Sequence, residues 1–210
     1  MVTITVEAIL GILFAVVLMS LFKRHTPPPQ AGVPQPDLAN LRPTDARTGD
    51  VVSIAGAGDN MSDLDFTSDR TIQYQAGARS WMETSGMYRE RRVAMRVENE
   101  DDVEVWLNSG ARKLSLEDLG LSEEDLAEID ERQNPADTFE FDNSVWSYRQ
   151  SAEANARRDD QMQAQQFYYW EFREQNGKRL LAVRKPQGEP FAVALYAQVP
   201  TADITIYRRT

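Results

Sequence analysis

Between residues 51 and 207 the apolar side chains recur at every second position, in short runs broken by turn residues. That period belongs to half-buried β-strands and leaves little room for helices. Val51 and Ile54, ahead of a GAGDN turn, give a first strand. Leu64 and Phe66 alternate with Asp63, Asp65 and Thr67, and Ile72 and Tyr74 alternate with Thr71 and Gln73. Residues 92–107, RVAMRVENEDDVEVWL, read as a hairpin turning near Glu100 to Asp102. TFEF, SVWSY, FYYWEF, RLLAV, FAVAL and DITIY follow, punctuated by Asp142-Asn143, Asn176-Gly177 and Gln187-Gly188. An Asn-Gly step between apolar runs is a hairpin signal, because both residues tolerate positive φ. One helix is well marked: Ser122 is placed to cap it, Asp125 falls at its third position, and Leu126 and Ile129 share a face. Residues 151–166, SAEANARRDDQMQAQQ, are polar and alanine-containing, which predicts a second short helix or a long loop. The expected fold class is mainly β with one or two short helices.

The two halves of this pattern resemble each other. FTSDRTIQYQ, Trp81-Met82-Glu83, RRVAMRV and VEVWL in the first have counterparts FDNSVWSYRQ, Trp170-Glu171-Phe172, KRLLAVRK and FAVAL in the second. From Phe66 to Trp81 is fifteen residues and from Phe141 to Trp170 twenty-nine, so the second copy carries an insertion. The expectation is two related β lobes, about 48–110 and 136–210, joined by an acidic helical connector at 111–135. Superposition is then expected to place Trp81 and Trp170 at equivalent positions.

Ahead of the domain stands a segment of another kind. Residues 1–22 carry Glu7 as their only charged side chain. From Val2 the run is 21 residues, about 31 Å as helix, close to the roughly 30 Å of a bilayer's hydrocarbon. No Lys or Arg precedes the run, and Lys23-Arg24 follow where a signal-peptide cleavage site belongs. It is apolar on every face, unlike a core helix with one buried stripe. Residues 1–24 therefore read as a transmembrane helix with a basic stop, and residues 2–22 contact the lipid bilayer. The basic pair after the span places the N-terminus outside and the remainder in the cytoplasm, as a single-pass protein of the cell inner membrane. Gly11-x-x-x-Ala15 is a spacing that lets two such helices approach, as in a homo-oligomer. Residues 25–47 are a Pro-rich linker, since proline fixes φ and lacks an amide donor.

Composition removes many chemistries. The 210 residues include no cysteine and one histidine, His25, which lies in the linker. That rules out disulfides, thiol nucleophiles and Cys-based metal sites, and leaves no histidine for acid–base work in the domain. The net charge of −10 argues against a nucleic-acid partner. The charge is concentrated: residues 98–142 hold 16 acids and 3 bases. Such a block reads as a solvated face or a surface for a basic partner. Two basic residues at the membrane are fewer than the roughly four to eight that recognise anionic lipid.

What remains is carboxylate chemistry. Asp59, Asp63, Asp65 and Asp69 are the best candidates for a calcium or magnesium site, but an exposed strand face has the same pattern and no EF-hand glycine is present. Gly56-Ala57-Gly58 lacks the remainder of any phosphate-loop motif and reads as a turn. Phe167, Tyr168, Tyr169, Trp170 and Phe172 alternate as in a strand buried on both faces, with Tyr168, Trp170 and Phe172 on one side and Phe167 and Tyr169 on the other. Glu83 and Glu171, each beside a tryptophan, suggest a paired-carboxylate site between the lobes. No catalytic, cofactor-binding or metal residue is assigned on this basis.

The order Gly49-Asp50-Val51-Val52, Trp81, a hairpin, TFEFDNSVWSY, YYWEFREQNGKRLLAVRK and DITIY resembles bacterial domain-of-unknown-function family 4178 over residues 46–208. Met82 departs from it, standing where an acidic residue is usual. The resemblance implies no activity. It implies a setting among membrane-associated gene clusters that also hold phage-shock-protein-A-like, small multispanning membrane and spermidine-synthase-like proteins. The function expected is therefore a membrane-anchored binding or scaffold protein that meets another membrane or peripheral protein in an envelope- or membrane-stress-associated assembly. The alternative is an enzyme or small-ligand sensor with a carboxylate-lined site between the lobes.

Overall fold

A β-strand that must serve two cores along its length has to turn over, and one extra residue does it. The computed structural model describes residues 41–208 apart from 160, 162 and 176, all within one unit, Asp37–Thr210. It contains eleven strands and one α-helix among those residues. The strands are β1 (Val51–Ile54), β2 (Leu64–Ala76), β3 (Arg79–Tyr88), β4 (Arg91–Asn99), β5 (Val103–Asn108), β6 (Thr138–Phe141), β7 (Ser144–Arg158), β8 (Gln165–Glu174), β9 (Arg179–Pro186), β10 (Ala192–Val199) and β11 (Ile204–Tyr207). The helix α1 is Glu123–Arg132. The sheet order is β11-β1-β2-β3-β4-β5-β10-β9-β8-β7-β6, entirely antiparallel, with β2 also paired to β7. The β2–β7 ladder closes β2, β3, β4, β5, β10, β9, β8 and β7 into an eight-stranded barrel. The expected mainly β class with a helix stands, but the halves share one interior and are not separate lobes facing a cleft.

The turning-over is visible in β2 and β7. The β2–β3 register shifts between Ser68 and Arg70, making Asp69 a bulge. Before it Leu64 and Phe66 join a core with β1, β4 and β11; after it Tyr74 and Ala76 enter the barrel. In β7 the shift lies between Tyr148 and Gln150, with Arg149 as the extra residue. There Trp146 and Tyr148 join a core with Trp170, Phe172 and α1, and Ala154 enters the barrel. Each half thus wraps its own core, and the barrel holds a third. Strands β8 and β9 serve two cores at once, and β4, β8 and β9 are buried on both faces.

The ladders give the repeat its true register. Counted from the bulges, Trp81 matches Phe167, Glu83 matches Tyr169 and Ser85 matches Glu171. One strand on, Ala94 matches Ala182 and Arg96 matches Arg184. Trp81 and Trp170 are therefore not equivalent: Trp81 lies in the barrel, and Trp170 lies outside it, donating to the Leu126 carbonyl of α1 at 3.2 Å. Counted from the bulges, Trp170 stands at the place of Thr84, three residues beyond that of Trp81, and an odd offset puts it on the opposite face of its strand.

Three further expectations change. Residues 151–166 form neither a helix nor one long loop: most of the segment is the end of β7, with β8 beginning at Gln165. Alanine suggests helix, but Ala152, Ala154 and Ala156 alternate with Glu153, Asn155 and Arg157, and their small side chains fit against the barrel's aromatic rings. The linker's end is not free chain, since Leu41, Pro43 and Ala46 are buried and Pro43–Asp45 is a 3-10 turn. The last strand, β11, belongs by sequence to the second half but pairs with β1 of the first. The capped helix is as expected: Ser122 accepts from Asp125 N–H at 3.1 Å, and Leu126 and Ile129 are buried. Residues 1–40, including the apolar run and His25, lie outside the described residues; no helix among the described residues is long and apolar enough to cross a membrane.

Candidate functional site

The interior of a small barrel must be filled, and here the middle layer is aromatic. Tyr74 stacks on Trp81 with centroids 5.2 Å apart, Trp81 lies 5.0 Å from Tyr169, and Phe167 meets Tyr74 edge-on at 5.9 Å. Trp106, Leu180, Ala182 and Tyr196 complete the packing. The aromatic run of β8 divides as its alternation predicts, with Phe167 and Tyr169 in the barrel core and Tyr168, Trp170 and Phe172 in or against the second-half core. It is a structural wall and not an exposed platform.

Charges occupy the two ends of this layer. At one end Arg96, with no exposed side-chain surface, stands 4.2 Å over the Trp81 ring. It donates to Tyr169 Oη and Glu171 Oε2, both at 2.7 Å, and its Nε lies 2.8 Å from Glu98 Oε1. Arg79 donates to Glu171 Oε1 at 2.9 Å and also bonds Glu98. Arg173 reaches Glu104 at 3.2 Å and stands over Trp106 at 4.5 Å. Burial raises the Glu171 pKa, but Arg96 and Arg79 overcome it and hold the carboxyl down at about 2. Outside this cluster a cavity of about 490 Å³ is rimmed by Glu100, Asp101, Asp102 and Arg149.

At the other end Arg184 is the central cation. It donates to Glu83 Oε2 at 2.7 Å, to Tyr74 Oη at 3.0 Å and to Tyr196 Oη at 3.1 Å, and Tyr196 donates to the same Glu83 oxygen at 2.7 Å. Burial works to raise the Glu83 pKa, and the Arg184 guanidinium more than reverses it. Burial and the Glu83 charge push Tyr74 up to about 12, so its phenol stays neutral. A second cavity, about 710 Å³, opens at this end.

Glu83 and Glu171 are thus both inside the barrel, as their position beside the tryptophans suggests, but they line different cavities and each is tied to arginine. A general acid needs a raised pKa and a general base a free lone pair facing substrate. Neither glutamate has the first, and their bonded oxygens serve arginine and tyrosine. The aspartate group is dispersed: Asp59 pairs with Arg91 at 2.6 Å, Asp69 pairs with Arg92 at 2.8 Å, Asp63 accepts from Gly56 N–H at 3.1 Å, and Asp65 is exposed. Among the described residues no group of His, Cys, Asp or Glu is arranged to hold a metal. Gly56 sits at φ 66° in the turn after β1. The arginines were the unforeseen part of the site. Their signal was present: Arg91, Ala94 and Arg96 in RRVAMRV match Arg179, Ala182 and Arg184 in RLLAVRK, and in each run a cation interrupts a strand that is otherwise buried.

No family model matches the chain, no curated protein is similar to it, and no solved structure matches it.

Proposed function

We propose that the chain is a single-pass, membrane-anchored binding protein. Residues 2–22 form the anchor in the inner membrane, the N-terminus lies outside, and the β domain acts in the cytoplasm by docking another membrane or peripheral protein. The observation that carries binding over catalysis is the pairing of Glu83 and Glu171. In a domain with no cysteine and no histidine, these were the carboxylates best placed for acid–base work, and arginine holds both ionised. The exposed acids support a basic partner surface: Leu126 and Ile129 of α1 face the core, while Glu123, Glu124, Glu128 and Glu131 are exposed. An envelope- or membrane-stress-associated assembly is the setting that the resemblance to family 4178 suggests.

The test is affinity purification of the full chain from membranes after mild crosslinking. A stably co-purifying protein is expected, lost when Glu124, Glu128 and Glu131 are changed to lysine. A chain that purifies alone under every condition overturns the docking reading. Topology is checked separately by Thr3→Cys and Asn40→Cys, in a protein that has no other thiol. Residue 3 should label from outside and residue 40 from inside; the reverse overturns the compartment.

A further inference from the structure

The cavity of about 710 Å³ at the Glu83 end differs from its counterpart in the charges that line it. Its floor is apolar, with Ile72, Ala94 and Ala194 facing in. Three rim arginines already have carboxylates: Arg91 with Asp59, Arg92 with Asp69 and Arg112 with Asp142. Arg70 does not. Among the described residues it makes no ion pair, and its Nε is buried without a hydrogen-bond partner. Arg184 Nε is buried and unpartnered as well. Lys113, exposed at the rim, also has no ion pair among the described residues. Ser85 accepts from Arg92 at 3.2 Å, which leaves its own O–H free to donate. On the acidic side Glu83 is already bonded by Arg184 and Tyr196, and Glu90 is exposed at the rim.

A buried guanidinium donor without an acceptor is costly, and a bound anion removes that cost. We propose that this mouth is a binding site for a small organic anion. A carboxylate or phosphate head would meet Arg70, Lys113 and the Ser85 hydroxyl, and a short apolar body would lie over Ile72, Ala94 and Ala194. Guanidinium geometry suits both head groups, since each offers two acceptors to one fork. The opposite mouth carries Glu100, Asp101 and Asp102 beside Arg149, an acidic excess that disfavours the same ligand.

This site is independent of the protein-docking surface, and the experiment reads a small molecule, so either proposal can fail alone. The full chain in phosphatidylcholine nanodiscs is titrated calorimetrically with hexanoate, butyl phosphate and hexylammonium, against empty discs. Both anions should bind at one site and hexylammonium should not. Arg70→Gln should weaken anion binding at least about tenfold, the scale of one charge-assisted hydrogen bond. Lys113→Gln, at an exposed position that folding does not need, should weaken it less, and Arg149→Gln at the other mouth should leave it unchanged. Glycerophosphoglycerol distinguishes the source: if it displaces butyl phosphate the natural anion is a lipid head group, and if it does not the anion is free in solution. No heat from either anion, equal binding by Arg70→Gln and Lys113→Gln, or equal binding of hexylammonium would overturn the proposal.

Discussion

Arg96 and Arg184 hold equivalent places in the two halves and keep different company. Arg96 has two carboxylates, Glu98 and Glu171, with the Tyr169 phenol and the Trp81 ring. Arg184 has one carboxylate, Glu83, with the phenols of Tyr74 and Tyr196. The repeated backbone fixes where a cation enters the barrel, and the neighbouring strands decide how it is neutralised. One mouth gathers Glu98, Glu100, Asp101, Asp102, Glu104 and Glu171, and the other keeps Arg70 and Lys113 without an ion pair among the described residues. That asymmetry explains why a symmetric-looking chain has a blunt acidic mouth and a receptive basic one.

The comparison is most severely strained by removing Arg96. Arg96→Leu takes from Glu98 and Glu171 the one fully buried cation and leaves them Arg79 and Arg173, which are partly exposed; breaking a buried pair costs about 3–5 kcal/mol, to be read from chemical denaturation. A loss under about 1 kcal/mol would show that the cluster is solvated and not an ion-pair core.

Acid should unmake the same end next. Glu171 has its folded pKa depressed to about 2 from 4.5, so its stabilisation is present above pH 4.5 and is lost as pH falls toward 2. The full difference is on the order of 3 kcal/mol. Glu171→Gln should flatten that part of the stability–pH curve, and an unchanged curve would remove Glu171 from the account.

At the other end Arg184→Leu is expected to cost less, about 1–3 kcal/mol, because one carboxylate is left and Tyr196 still donates to it. Adding Glu83→Gln should recover part of the loss in a double-mutant cycle; strictly additive effects would mean that the two do not interact. The smallest effect belongs to the surface. Asp69→Asn opens the exposed Arg92 pair and should change stability by less than about 1 kcal/mol.

Much of this architecture is legible from local chemistry. Period-two alternation marks the strands, Asp142-Asn143 adopts positive φ between β6 and β7, and Ser122 with Asp125 closes a capping box. What is not legible is long-range. Closure depends on β2 meeting β7 across 78 to 86 residues, as in Ala76↔Ala154 and Ile72↔Arg158, and nothing local specifies that pairing. The alanines of β7 look helical until the rings they accommodate are known. The candidate site divides in the same way. Glu83 and Glu171 are visible as acids beside tryptophans, but Arg184 and Arg96, which set their ionisation, come from other strands. A cation inside each apolar β4 and β9 run is the clue that the sequence does carry.

The central claim is that the barrel's glutamates are permanent ion-pair partners and not poised acid–base groups. Carbon-13 NMR of the Glu171 carboxyl, assigned with Glu171→Gln and followed from pH 7 into acid, tests it most directly. The account predicts an ionised carboxyl down to the onset of acid unfolding, with no titration near the ordinary glutamate range. A Glu171 pKa above about 5 in the folded protein, the range expected of a carboxyl raised by burial, would contradict it.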